Sequence, residues 1–237
     1  MNSKIIKFNN DFRPCLSIIS DVLLKNLDIH WFEYTRLYKT GNRFYLSNNQ
    51  NWFEYFLKNN FQDDYDYNNI LWSASKRKYT LWVALNDNKV LSGYFKNNMW
   101  NGLIYSFRHN DDYIDLFSFS TTIKNKHVNN LYINNTDIIN KAIMFFKNEI
   151  YKKLPIGDDK FLLKTHSHRD LSDDITPSIS SKMIDNFYNQ TKVGRYYFNV
   201  GELDFYLTRM EFMCLTLMSH GNSVKNIANK CSISPRT

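Results

Sequence analysis

Glycine and proline are scarce in this chain, at 7 and 4 of 237 residues. Collagen-like and Pro/Gly-rich low-complexity classes are thereby excluded. Cysteine is scarcer still. Cys15, Cys214 and Cys231 are odd in number, far apart in sequence and form no CxxC pair. They offer no disulfide framework, and a reducing compartment is expected. No stretch approaches the ~20 apolar residues of a membrane span. The first ten residues lack the apolar core of a signal peptide. The expectation is a cytoplasmic protein with no membrane partner.

Aromatics, by contrast, are abundant. They make up 16% of the chain, with 18 Phe, 16 Tyr and 5 Trp, and such a composition excludes disorder. About one residue in eight is Asn, an excess that fits AT-rich codon usage better than chemistry. Thirty Lys and Arg against 23 Asp and Glu give +7, which is compatible with an anionic partner without establishing one.

Along the chain, Phe12, Leu16, Ile19, Leu23 and Leu27 form one stripe of an amphipathic helix over about 11–27. Residues 31–38 and 43–46 flank a Lys-Thr-Gly-Asn turn and predict a β-hairpin. Ser47 or Asn48 caps a helix over about 50–60. Residues 62–69 are polar and turn-prone. The stretch 79–98 divides at Asn86-Asp87-Asn88. Leu103–Phe107 and Tyr113–Phe119 predict a second hairpin, and a long helix begins at Thr136. Helices against a mostly antiparallel sheet make an α+β sandwich. Residues 155–193 are linker-like, and Arg195 to Tyr206 is extended with a bend at Asn199-Val200-Gly201.

From Leu207 the signal is denser. Thr208-Arg209-Met210-Glu211 is a capping box. Gly221 is a natural helix stop, Ser223 caps a second helix, and Ser234-Pro235 opens a third. Arg209, Lys225, Lys230 and Arg236 against Glu211 leave this segment at +3, the sign of a DNA-facing module. Leu207-Thr208, Glu211, Leu215, Gly221, Ser223, Lys225, Ile227-Ala228 and Ile233-Ser234-Pro235-Arg236-Thr237 resemble the LuxR-type helix-turn-helix. The resemblance implies DNA contacts by Lys225, Ser234, Arg236 and Thr237. The sequence stops at Thr237, where that family's recognition helix begins. The polypeptide as given is therefore expected not to bind DNA specifically unless the motif is completed.

The N-terminal part is similar to the sensor domain of these regulators, which implies an α/β/α sandwich with an antiparallel sheet. Trp52 and Phe56 stand in the position of that family's W-x-x-x-Y. Trp82 resembles a second pocket wall, and Gly102 the glycine that opens the next strand. Phe32, Tyr34, Arg36, Gly41, Leu46-Ser47 and Trp52 look more like the unpaired "solo" members than the acyl-homoserine-lactone receptors. The receptors' Tyr is replaced by Phe56, and none of Asp63, Asp64 and Asp66 precedes Pro. A standard lactone is thus disfavoured. The resemblance implies a quorum-sensing-like sensor with Trp52, Phe56, Trp82 and Tyr34 as ligand-binding residues and a small apolar signal molecule as ligand. The same aromatics also suit a plain core.

The expected organisation is a sensor domain over 1–155, a linker with an extended segment over 156–206 and the leading part of a helix-turn-helix over 207–237. The leading functional expectation is a ligand-responsive transcription regulator acting as a homodimer. The alternative is an interaction module that pairs with a full-length relative, or a remnant. Enzyme activity is not expected, because no HExxH, GxSxG, Walker A or GxGxxG motif occurs. Nor is a cofactor or a metal expected. His166-Ser167-His168 with Asp170 supplies too few donors and reads as solvated linker.

Overall fold

The computed structural model describes residues 2–19, 21, 27–75, 79–85, 87–109, 111–166, 169–172, 194–200, 203–219 and 221–234. The chain divides into two compact units, Met1–Thr176 and Pro177–Thr237.

The first unit is an α+β sandwich. Helix α1 (Asn2–Ile19) precedes strands β1 (Trp31–Tyr38) and β2 (Arg43–Ser47). Helices α2 (Gln50–Lys58) and α3 (Tyr65–Ala74), strand β3 (Tyr79–Leu81) and helix α4 (Lys89–Lys96) follow. Strands β4 (Met99–Arg108) and β5 (Tyr113–Thr122) lead to helices α5 (Val128–Asn134) and α6 (Thr136–Glu149). The five strands form one antiparallel sheet in the order β2-β1-β5-β4-β3.

Strand residues alternate between the two faces, and here both faces are covered. Leu37, Tyr45, Ile104, Ile114 and Leu116 join one core cluster with Trp52, Phe56, Leu71 and Tyr94 from α2, α3 and α4. Phe32, Tyr34, Phe44, Leu103, Phe117 and Phe119 join a second with Leu16, Tyr132, Ile139 and Phe146 from α1, α5 and α6. Edge strand β2 is shielded from strand addition. Arg43 pairs with Leu163 through backbone hydrogen bonds of 3.0 and 2.8 Å. The Asn9 side chain bonds Ser47 on both its N–H and its C=O. The segment after α6 thus packs on the sheet, and Leu162, Leu163 and Leu171 are buried.

Several local expectations need correcting. The first helix starts at Asn2 rather than near residue 11, because the apolar stripe continues back through Phe8 to Ile5, both buried. Leu23 lies outside the described residues. Asn49, not Ser47 or Asn48, caps α2 by accepting from the Trp52 N–H at 3.1 Å. The polar stretch 62–69 is a short 3-10 turn followed by the start of α3, capped by Asp64. Beyond Leu154, described residues of the linker-like stretch fold onto the sheet as above, while 173–193 lie outside the described residues.

In the second unit β6 (Arg195–Val200) and β7 (Leu203–Thr208) form an antiparallel hairpin. Tyr196 stacks on Phe212, ring centroids 4.2 Å apart. Helices α7 (Arg209–Ser219) and α8 (Val224–Cys231) follow.

Candidate functional site

The sheet face under α2, α3 and α4 is unusually polar for a core face. Read across the strands, one row is Tyr45, Thr35, Leu116 and Ser106. The next is Ser47, Glu33, Ser118, Ile104 and Thr80. Glu33, only 2% exposed, is the centre of this face. Its carboxylate accepts from the Tyr45 hydroxyl at 2.5 Å, the Tyr94 hydroxyl at 2.7 Å and the Ser47 hydroxyl at 3.2 Å. Burial pushes the Glu33 carboxyl above its ordinary value, and these hydroxyls oppose that rise. Burial also raises Tyr45 and Tyr94 well above the usual phenol range, with Glu33 adding to both shifts. The buried hydroxyls of Thr80, Ser106 and Ser120 face the same side and have no partner among the described residues. Such groups in a native core call for an explanation.

The helices supply an aromatic lid because of their periodicity. With Asn49 fixing its start, α2 turns Trp52 and Phe56 inward at i and i+4. Asn88 caps α4 by accepting from the Leu91 N–H at 2.9 Å, and that helix turns Val90, Leu91 and Tyr94 inward. The Trp52 ring stacks on Tyr94 at 3.8 Å, and its indole N–H donates to the Tyr45 hydroxyl at 2.8 Å. Trp82 also packs on Tyr94, ring centroids 4.4 Å apart. Its ring lies so close over Gly102 that a Cβ there would sit 2.3 Å from it. Asn101 bends the strand at this bulge with φ of 48°. Trp82 also walls a groove of about 470 Å³, with Leu85, Leu91, Phe95 and Trp100 as its apolar lining and Asp87 and Lys96 among its polar lining. Arg43, buried on the same face, bonds Asn68 and lies over Phe56 at 5.4 Å, while its Nε has no partner among the described residues. Burial lowers its pKa.

Trp52, Phe56 and Trp82 therefore come together in one cluster. Tyr34 does not join them. It is one residue from Glu33 and so points through the sheet to the opposite face. There its hydroxyl donates to Asp115 at 2.8 Å. Arg36 donates to both Asp115 oxygens at 2.8 and 3.0 Å, and His109 Nε2 lies 2.7 Å from Asp115 Oδ2. No sequence motif marks Glu33, Tyr45, Tyr94 or Arg43.

In the second unit the capping box forms. The Thr208 N–H donates to Glu211 at 2.7 Å, and the Glu211 N–H donates to the Thr208 hydroxyl at 3.4 Å. Gly221 has φ of +74°, and Ser223 caps α8 by accepting from the Asn226 N–H. Ile227, Ala228 and Cys231 form its buried face. Lys225 and Ser234 are exposed, and Arg236 and Thr237 lie outside the described residues. His166, 90% exposed in its side chain, pairs with Asp63 at 3.1 Å, and His168 lies outside the described residues. Among the described residues no group of three or more His, Cys, Asp or Glu is placed to hold a metal, and no helix is long and apolar enough to cross a membrane.

No protein-family model and no curated protein matches the chain. Among solved structures it is similar to SdiA of Escherichia coli, at 11% identity and a TM-score of 0.38, over 90% of this chain and 74% of that one. It is similar also to SdiA in complex with octanoyl-rac-glycerol, at 10% identity and a TM-score of 0.38, over 99% of this chain and 82% of that one. At that identity and score neither likeness assigns a ligand, a function or a family to this chain.

Proposed function

We propose that the chain is a ligand-responsive regulator of the LuxR type. Its first unit binds a small apolar molecule between the Glu33 face of the sheet and helices α2, α3 and α4. Its second unit carries the leading helices of a DNA-binding helix-turn-helix. The observation that supports the first part is the Glu33 centre: a buried carboxyl with a raised pKa, ringed by hydroxyls and roofed by Trp52, Tyr94 and Trp82. A core built for stability alone gains little from a buried ionisable group. Ligand sites are apolar enclosures with a few convergent polar groups and perturbed pKa values. Unpaired hydroxyls at Thr80, Ser106 and Ser120 cost about 1–3 kcal/mol each unless a polar partner meets them.

The anchors differ from those of a lactone receptor. Phe56 carries no hydroxyl, Asp64 is committed to capping α3 and Asp63 accepts from the His166 N–H at 2.8 Å. Thr80, Ser106 and Ser120, whose hydroxyls have no partner among the described residues, supply the polar contacts instead. The proposed ligand is an apolar molecule with a short polar head other than an acyl-homoserine lactone. It acts by favouring one conformation of the regulator. Lys225, Ser234, Arg236 and Thr237 meet phosphates in the proposed DNA complex.

Thermal unfolding of the full chain with a panel of medium-chain alcohols, esters and lactones tests the sensor reading. At a hundred times its Kd a ligand stabilises by about 2.7 kcal/mol, a rise in Tm of several degrees. No rise with any compound or with a hydrophobic extract would reduce the aromatics to core.

The interaction-module reading has its own support. Among the described residues the second unit leaves Tyr197, Met210, Leu215, Met218 and Val224 exposed, side chains suited to an association surface.

A further inference from the structure

Cys214 and Cys231 are far apart in sequence, yet the packing of α7 on α8 brings their Sγ atoms to 3.9 Å. Both are free thiols. Cys231 lies on the buried face of α8 with Ile227 and Ala228, 6% exposed, and Cys214 is half-buried on α7. The capping box fixes the start of α7, and the Gly221 turn with the Ser223 cap fixes the start of α8. The two thiols are therefore held facing each other rather than meeting by chance fluctuation.

We propose that Cys214 and Cys231 are a modification site, a dithiol that a hydroperoxide oxidises to an intramolecular disulfide tying α7 to α8. Cys214 is the more exposed thiol and meets the oxidant. Its thiolate attacks the peroxide, an S–O bond forms, the O–O bond breaks and the leaving oxygen departs as water or an alcohol with a proton. The product is a sulfenic acid at Cys214. The Cys231 thiolate then attacks that sulfur, an S–S bond forms, the S–O bond breaks, and the hydroxyl leaves as water with the proton from Cys231. Two thiols are oxidised by two electrons, and one peroxide is reduced. The sulfurs need to close from 3.9 Å to about 2.05 Å across an existing helix contact. Burial pushes the Cys231 thiol up, so the second step draws on a small thiolate fraction and the reaction is slow. Cys214 and Cys231 are 17 positions apart, and closing a loop of that length shifts the folding equilibrium of the second unit by on the order of a hundredfold.

The test uses the full chain treated with hydrogen peroxide, and separately with diamide. Titratable thiols fall from three to one, the intact mass drops by two hydrogens, a linked peptide containing Cys214 and Cys231 appears, and dithiothreitol restores all three. Cys15→Ser behaves the same, falling from two thiols to none. In the oxidised wild type, protease cleavage within α7 and α8 slows. Disulfide-linked dimers as the main product, preferential oxidation of Cys15, or oxidation that leaves Cys214 and Cys231 in separate unlinked peptides would overturn the assignment.

Discussion

Glu33 and Tyr34 are neighbours in sequence and opposite in fate. Glu33 bonds Tyr45, Ser47 and Tyr94 beneath α2 and α4, and Tyr34 bonds Asp115 beneath α6. A strand turns successive side chains to opposite faces, so a site built on β1 takes one of them and not both. The raised pKa of Glu33 has a direct consequence. The folded chain holds that proton more tightly than the unfolded chain. Stability linked to it is therefore present at low pH and lost as pH rises from about the ordinary carboxylate value through the folded one. Glu33→Gln removes this dependence. Urea unfolding between about pH 4 and 8 should show wild type losing stability relative to Glu33→Gln as pH rises; parallel profiles would contradict the raised carboxyl.

At the level of elements, legibility followed local chemistry. Hairpin β1–β2 was readable because the apolar and aromatic runs flank Lys39-Thr40-Gly41-Asn42, and Gly41 does adopt φ of +84°. The strands of the second hairpin were found but run longer, to Met99 and Thr122. Helix α3 carries no local signal, because Asp64, Asp66, Asn68 and Asn69 are weak helix formers that favour turns. Tertiary bonds override that preference: Asn68 is held by Arg43 and the Gln62 carbonyl, and Asn69 accepts from the Ser172 N–H. The Glu33 site escaped detection for a related reason. Both faces of β1 are buried, with only its two end residues partly exposed, so no alternation marks which residue faces which layer. The second unit was the more legible because caps are local. Thr208→Ala removes the side-chain half of its capping box and should cost about 0.5–2 kcal/mol. Urea unfolding followed on residues of α7, with no change in the midpoint, would mean that the box carries no stability.

For the whole molecule, charge and division matter most. The +3 from Leu207 onward belongs to the second unit, and the Glu33 site belongs to the first. If Lys225 meets a phosphate, binding of the full chain to duplex DNA weakens with salt, and Lys225→Ala lowers the log–log salt slope by about 0.9. An unchanged slope in a salt series by fluorescence anisotropy would remove Lys225 from the interface.

A small apolar molecule lodged between the Glu33 face and α2, α3 and α4 would leave a local mark. Amide hydrogen exchange of the full chain, with and without the compound that raises Tm most, tests it by location. Binding there adds protection in β1, α2 and α4, around Glu33, Trp52 and Tyr94. Protection confined to α5 and α6, or none in the first unit, would contradict it.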